Sequence, residues 1–256
     1  MTNTLNRYVY PSEIETWGSI SARQKAVTTG WLGTSWANNY TTAARLPLHS
    51  LLGPPNTDYP PEKGSIYASA NAGPLSHAAF SFVHGGLAPT YPNLSPFPSA
   101  INNISASLLH KLRSRSPQPP PHPPHAYPGL PSGTRHEEAR LYGSDGPLWY
   151  RGWAEEEESK ICEKVDEVLR KTGTRRMVMG HTPHLESIVA RCGGKVLIID
   201  TGAFRRLAPE GAIFDPCNRH FACVWRGAFC FIHRIYPRTR QGRRMERAGS
   251  SQGVVR

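Results

Sequence analysis

The most regular hydrophobic pattern in the chain spans residues 155–171 and is helical. Its apolar positions fall on one face of a helix, while acidic residues fill the first turn and basic residues the last. Those apolar positions are Ile161, Val165, Val168 and Leu169. Gly173 follows as a C-terminal cap, because glycine readily takes the left-handed conformation that ends many helices. The pattern therefore predicts an amphipathic helix that lies against a core.

A second helical pattern begins after Pro98-Ser99, and short apolar runs elsewhere predict strands. The apolar positions of this helix are Ile101, Ile104, Leu108, Leu109 and Leu112. The strands are predicted at residues 78–84, 175–180 and 195–200. A helical turn is predicted near 184–191, and residues 46–64, rich in Pro, Gly and Asn, are predicted to be a loop. Strands that alternate with helices indicate the α/β class.

Each predicted strand ends at a polar residue that could take part in chemistry: His84, His181 and Asp200. In layered α/β folds such groups gather at the carboxyl ends of strands, where loops leave the sheet. Neutral imidazole is a good ligand for Zn, Mn or Fe, so the two histidines could share one metal ion. Gly85 and Gly180 remove side-chain bulk and would let backbone approach a ligand. Each histidine alone could instead cap its strand through a backbone hydrogen bond, but the pair with its glycines favours a site.

The segment YGSDGPLWYRGW (142–153) places Arg151 among aromatic residues and glycines. A guanidinium can hold phosphate through two parallel hydrogen bonds, and Asp145 could orient it. Alternatively, Arg151 stacks on Trp149 or Trp153 in an aromatic surface turn. The segment alone does not decide between these two interpretations.

The composition changes along the 256 residues, whose net charge is +11. Residues 1–202 are predicted to form one domain, whereas residues 203–256 carry eleven arginines and only three acidic residues. This tail is predicted to be poorly ordered, with nucleic-acid binding as the alternative. The domain holds an insertion at 114–132, in which residues 117–131 include eight prolines. It is predicted to be a surface loop, with a ligand for an SH3- or WW-type domain as the alternative.

Five cysteines, an odd number in a chain of this length, indicate no disulfide framework and leave the redox compartment open. No apolar run reaches the length of a membrane span, and the N-terminus lacks a signal pattern. A cytoplasmic location is therefore the default expectation. Asn-x-Ser/Thr sequons at Asn39, Asn93 and Asn103 are compatible with secretion.

Four segments occur in an informative order: FVHGGL (82–87), DGPLWYRG (145–152), GHTP (180–183) and CGGKVLIIDTG (192–202). Together they resemble the second half of the calcineurin-like metallophosphoesterases. Within that family the chain is most similar to the Shewanella-like protein phosphatase branch, which PSEIETWGS (11–19) also fits. The resemblance covers about residues 8–202. One such motif is weak, but several in the right order are fairly specific.

The resemblance implies a metal-dependent phosphoester hydrolase, of the Ser/Thr-type protein phosphatase kind, that acts on a phosphorylated substrate such as a phosphoprotein. The implied fold is an incomplete α/β/β/α sandwich of two facing sheets. The family site holds two divalent ions, Mn, Fe or Zn, that polarise phosphate and generate the nucleophile. His84 and His181 match ligands of the second ion, and Arg151 matches a residue that holds a phosphate oxygen. Asp200 would orient the site through hydrogen bonds.

Three motifs of the family's first half, GDxHG, GDxxDRG and GNHE, do not occur in this sequence. They supply the ligands of the first metal, the bridging aspartate and the histidine that acts as general acid. Two imidazoles remain for one ion, which predicts weak metal binding and little or no turnover. We expect a truncated or mispredicted gene product whose strands 78–84 and 175–180 have open edges and exposed apolar faces. The alternative function is a non-catalytic remnant that binds phosphate or a partner.

Overall fold

A computed structural model describes residues 11–115 and 129–201, with the backbone of residues 222–226 and 229–233. The helices are α1 (Pro11–Thr16), α2 (Ile20–Thr28), α3 (Trp31–Asn39), α4 (Ala68–Asn71), α5 (Ser99–Ser114), α6 (His136–Tyr142), α7 (Gly152–Glu155) and α8 (Glu158–Thr172). The strands are β1 (Ala43–Pro47), β2 (Ala79–Val83), β3 (Arg176–Met179), β4 (Val189–Arg191), β5 (Val196–Ile198), β6 (Ala222–Arg226) and β7 (Phe229–His233). The predicted α/β class is confirmed. No helix in these described ranges has the length and hydropathy that a membrane span needs.

Five strands form one open sheet in the order β1-β2-β3-β5-β4. The three central strands β2, β3 and β5 are parallel, and the edge strands β1 and β4 run antiparallel to their neighbours. Strands β6 and β7 pair with each other in a separate two-stranded sheet. Because parallel strands end on the same side, the carboxyl ends of β2, β3 and β5 meet at one edge of the sheet. The sandwich of two facing sheets stays a prediction.

The prediction that the strands at 78–84 and 175–180, which correspond to β2 and β3, have open edges is wrong. Strand β1 pairs with β2, and β3 lies between β2 and β5. The prediction of a loop at 46–64 is wrong for its first residues, because Leu46 and Pro47 belong to β1. Within the predicted loop, Ser50–Leu52 forms a short 3-10 helix. The sequence conceals β1 because its core-facing positions include the charged Arg45. A proline is tolerated at the end of β1 because an edge strand needs fewer backbone donors.

Helix α8 confirms the strongest sequence pattern, although it begins at Glu158 and not at residue 155. Its four predicted apolar positions are buried, and Gly173 caps it with a left-handed φ of 60°. The residues just before it form the separate helix α7. The helical turn predicted near 184–191 is wrong, since Val189–Arg191 pairs with β5 as strand β4.

The main core lies between one face of the sheet and helices α5, α6 and α8. Alternate residues of the central strands supply the sheet side: Val83, Met177, Met179, Val196 and Ile198. Of the α5 positions predicted to be apolar, Ile101, Ile104 and Leu108 are buried in this core, whereas Leu109 is exposed. The burial of alternate strand positions against helices fixes the register of the sheet.

Two cysteines form a disulfide, which corrects the expectation that the chain has no disulfide framework. Cys162 in α8 is bonded to Cys192, which directly follows β4. The residues are 30 positions apart in sequence but their Cα atoms are 5.1 Å apart. The sequence did not predict this bridge, because the number and spacing of cysteines do not show which of them pair.

Several predictions concern residues outside the described ranges. One is the proline tract at 117–131, of which residues 117–128 are not described. The other is the arginine-rich tail 203–256, of which only the backbone of two strands is described. The guanidinium of Arg115 donates to the carbonyl of Gly129 at 2.7 Å, so the described ends of the tract lie together. This closeness is what a surface insertion requires.

The buried carboxylate of Glu138 joins α5 to the start of α6. It accepts hydrogen bonds from Lys111 Nζ and Ser107 Oγ, each at 2.6 Å, and from the backbone N–H of Arg135 at 2.7 Å. The hydrogen bonds from Lys111, Ser107 and Arg135 lower the pKa of Glu138 to about 2. These donors favour the ionised form, so the stability they supply depends on pH.

We expect Glu138→Gln to remove part of the acid sensitivity of the fold. A carboxyl whose folded pKa is depressed stabilises the protein fully above its unfolded pKa, 4.5 here, and this stability is lost as pH falls toward about 2. Urea unfolding from pH 7 to pH 2 should therefore show a smaller pH dependence for Glu138→Gln, and lower stability at pH 7. Glu137→Gln, which alters an exposed neighbour, is the control. Parallel pH profiles for Glu138→Gln and the parent chain would contradict the role.

Candidate active site

The sheet brings the three predicted polar residues to one edge. His84 follows β2, His181 follows β3 after Gly180, and Asp200 follows β5. The ladder continues past the strand ends, because the Gly180 N–H donates to the carbonyl of His84 at 2.9 Å. Since β2, β3 and β5 are adjacent and parallel, the position of each group is fixed by strand pairing and not by a loop.

The imidazole rings of His84 and His181 lie next to each other, with their planes tilted by 58°. Nδ1 of His181 lies 3.1 Å from Nε2 of His84, and the ring centroids are 4.8 Å apart. His181 has a left-handed φ of 66°, an uncommon conformation for a residue with a side chain. Such conformations concentrate at functional sites because the surrounding structure must hold them in place.

The surroundings of both imidazoles favour their neutral form. Burial, the guanidinium of Arg151 and the ring of His84 together lower the pKa of His181 to about 4. Burial also lowers the pKa of His84, and the carboxylate of Asp200 partly opposes this effect. Neutral imidazole has a nitrogen lone pair and is therefore the form that binds metal ions.

Arg151 lies beside this pair and begins helix α7. Its Nη1 donates to the carbonyl of His181 at 3.2 Å and to Thr182 Oγ1 at 3.1 Å. The alternative that Arg151 stacks on Trp149 or Trp153 has no support among the described cation–π contacts, which involve Arg45 and Arg176. Only one of its nitrogens makes these bonds, and a guanidinium carries five N–H donors. The rest of the guanidinium can therefore bind an anion.

Asp145 is exposed, and none of the described hydrogen bonds or ion pairs of Arg151 involves it. Its role in orienting Arg151 stays a prediction. The hydroxyl of Thr182 does accept a hydrogen bond from the guanidinium. Burial raises the pKa of Tyr150 to about 12, and the carboxylates of Glu156 and Asp145 add to that rise.

The glycine after His84 serves a purpose other than the one predicted. A Cβ at Gly85 would lie 2.8 Å from the backbone carbon of Leu148 and the backbone nitrogen of Trp149. The Gly85 N–H also donates to the carbonyl of Pro147 at 2.7 Å. Gly85 therefore makes room for the loop that leads to Arg151.

Two aromatic residues that sequence reasoning did not assign to the site support it. Trp149 packs edge-on against the ring of His181, with centroids 5.1 Å apart. Trp153 is fully buried and its indole N–H donates to the carbonyl of Leu87 at 2.8 Å. Both tryptophans lie in or directly after the WYRG segment. Aromatic residues next to Arg151, the candidate phosphate-binding residue, are the sequence feature that could have predicted their place in the site.

The residues present fit one metal ion held by two ligands. Two ligand nitrogens that each lie ~2.0–2.1 Å from one ion are roughly 3 Å apart, which is close to the separation of these imidazoles. Nε2 of His181 is buried and has no hydrogen-bond partner among the described residues. Asp200 does not complete a group of three ligands with the histidines in the described ranges, where the one such group is Glu158, Cys162 and Cys192. Its cysteines are joined in the disulfide.

Comparison with known proteins gives limited matches. The chain is 32% identical over 132 residues to an uncharacterized protein of Schizosaccharomyces pombe, an alignment that covers 52% of this chain. The chain spans about a third of the length of that curated relative, 34%. No model of a known protein family matches the chain.

Solved structures of phosphatases share a partial likeness with the chain. A cold-active protein tyrosine phosphatase is 19% identical with a TM-score of 0.35, covering 48% of this chain and 30% of that one. The cold-active protein-tyrosine phosphatase of a psychrophilic Shewanella species is 18% identical with a TM-score of 0.35, covering 48% and 31%. A likeness this weak assigns no function to the chain.

Proposed function

We propose that this chain carries part of the active site of a metal-dependent phosphoester hydrolase. The observation that supports this most strongly is the 3.1 Å approach of two neutral imidazoles from adjacent parallel strands, with Arg151 bonded to the backbone of one of them. Imidazoles at this separation suit a metal ion, and a guanidinium beside them suits the oxygen of a phosphate. A phosphoprotein is the substrate class that we propose.

His84 and His181 would hold one divalent ion, Mn, Fe or Zn. When bound, such an ion polarises a phosphoryl oxygen and lowers the pKa of a coordinated water. Arg151 binds a phosphate oxygen and stabilises negative charge on it, and Thr182 keeps the guanidinium turned toward His181. Asp200 acts on both imidazoles through its charge, which favours their hold on a cation.

Turnover by this chain alone should be low. The sequence lacks GDxHG, GDxxDRG and GNHE, so it has no counterpart of the bridging carboxylate or of the histidine that acts as general acid. In a two-metal site the ions lie about 3.5–4 Å apart, and each ion needs its own ligands. We therefore propose binding of metal and phosphate with weak hydrolysis. A non-catalytic phosphate-binding remnant is the second candidate, and the missing motifs favour it.

Replacement of either histidine should strongly weaken specific metal binding. Titration calorimetry of the full chain with Mn²⁺ should show one site, and His84→Ala and His181→Ala should each weaken it by about 100-fold or more, because each removes one of two ligands. His110→Ala is the matched control, since His110 is exposed on α5.

The same samples separate the two candidates. Inorganic phosphate that binds only with Mn²⁺ supports the hydrolase site, whereas phosphate binding that needs no metal supports the remnant. Hydrolysis of p-nitrophenyl phosphate should stay close to background. Equal Mn²⁺ affinity in the three alanine variants would refute the metal site.

A further inference from the structure

The disulfide between Cys162 and Cys192 is part of an ordered frame. Cys192 is 9% exposed, and its backbone N–H donates to the Glu158 carboxylate, one turn before Cys162 in α8, at 2.7 Å. Arg191 beside it donates to the carbonyls of Trp153 and Glu156 at 2.7 and 2.6 Å. Hydrogen bonds thus hold Cys192 and its neighbour Arg191 in place beside the bridge. Disulfides of this structural kind form and persist in oxidising compartments.

One of the three sequons is well placed to carry a glycan. Asn39 and Thr41 are exposed, and Tyr40 between them has an extended backbone with φ of −122°. Asn39 ends helix α3, so the chain leaves the helix at the acceptor itself. The Asn39 amide nitrogen donates to the carbonyl of Ser35 at 2.8 Å, and it keeps one N–H for this bond after glycosylation. Because Asn39 and Thr41 are exposed, a bulky, hydrated oligosaccharide at this position can extend into solvent.

The other two sequons are less suitable. Asn93 is half-buried and lies between the buried Tyr91 and Leu94. Asn103 is exposed but lies inside the 16-residue helix α5. The hydroxyl of its sequon serine, Ser105, donates to the carbonyl of Asn102 and accepts from Thr42. The structure therefore separates three sequons that look equivalent in the sequence.

We propose that Asn39 is an N-glycosylation acceptor in a chain that matures in the oxidising secretory pathway. The disulfide and the exposed sequon are independent features, and the secretory pathway is the compartment in which a bridge forms and a sequon receives a glycan. In the glycosylation step, the amide nitrogen of Asn39 bonds to the anomeric carbon of a lipid-diphosphate oligosaccharide. The bond from that carbon to the diphosphate breaks, and the amide proton leaves with the lipid diphosphate. In the oxidation step, the two thiols give two protons and two electrons to an oxidised dithiol–disulfide oxidoreductase.

Peptide mapping of the protein isolated from its own organism tests this assignment. Treatment with peptide N-glycosidase F converts a glycosylated asparagine to aspartate, and trypsin releases residues 26–45, which hold no other sequon. We expect this conversion at Asn39, and we expect Cys162 and Cys192 to resist alkylation until a reductant is added. An unmodified peptide 26–45, or free thiols at the two cysteines, would overturn the proposal.

Matched variants of the full chain, secreted from yeast behind a cleavable leader, test the acceptor itself. Thr41→Ala destroys the sequon and should remove the mobility shift that endoglycosidase H causes, while Thr41→Ser preserves the sequon and should retain the shift. Asn93→Gln should also retain it. Secretion of the chain with no endoglycosidase-sensitive shift, or a shift that survives Thr41→Ala, would refute the assignment.

Discussion

Replacement of Arg45 by methionine should lower the free energy of unfolding by at least about 3 kcal/mol, because several buried oxygen atoms would lose a charged donor. The Arg45 side chain is fully buried, and burial lowers the pKa of its guanidinium. It donates to three backbone carbonyls and one amide oxygen, at 3.0 to 3.2 Å: those of Thr57, Ser76, Gly173 and Asn71. Each acceptor left unsatisfied costs about 1–3 kcal/mol.

Urea denaturation at pH 7 measures this effect. Arg175→Met is the matched control, because Arg175 is exposed and its loss should change stability by less than about 0.5 kcal/mol. Arg45→Lys should recover only part of the loss, since an ammonium lacks the planar fork of donors. A destabilisation of Arg45→Met no larger than that of the control would show that this network does not stabilise the fold.

Replacement of Trp153 by alanine should lower the free energy of unfolding by about 3–5 kcal/mol. The residue is fully buried, and its indole N–H donates to the carbonyl of Leu87. Its ring packs edge-on against Tyr150, with ring centroids 6.1 Å apart. It joins the helix that Arg151 begins to the loop that follows His84. The substitution leaves a large cavity and an unsatisfied carbonyl at once.

A phenylalanine at position 153 separates the two effects. Trp153→Phe keeps most of the volume and loses the hydrogen bond, so it should cost less than Trp153→Ala. Trp36→Ala is the control, because that ring is 47% exposed. The measurement is again urea denaturation, and a cost for Trp153→Ala similar to that of Trp36→Ala would contradict the prediction.

The sequence predicted the meeting of His84 and His181 because it needed only local information. Each histidine follows an apolar run, and adjacent parallel strands place their carboxyl ends together whatever lies between them. The same local logic predicted α8 and its glycine cap. Thr182 was not predicted as a partner of Arg151, since that contact joins two loops that are 31 positions apart.

Long-range polar contacts explain the other failures. Strand β1 was missed because a buried arginine looks like a surface residue until its carbonyl partners are known. The disulfide was missed because five cysteines permit many pairings and only the fold selects one. The packing role of Gly85 was not predicted because the backbone that needs its space comes from a loop about sixty residues further along the chain.

The two histidines are 97 positions apart, yet their separation is set by the spacing between neighbouring strands, about 4.7–4.9 Å. The proline tract lies within the intervening sequence. Insertions and deletions there can accumulate during evolution without displacing either imidazole. Relatives of this chain are therefore better sought by the two strand-end motifs than by the length of sequence between them.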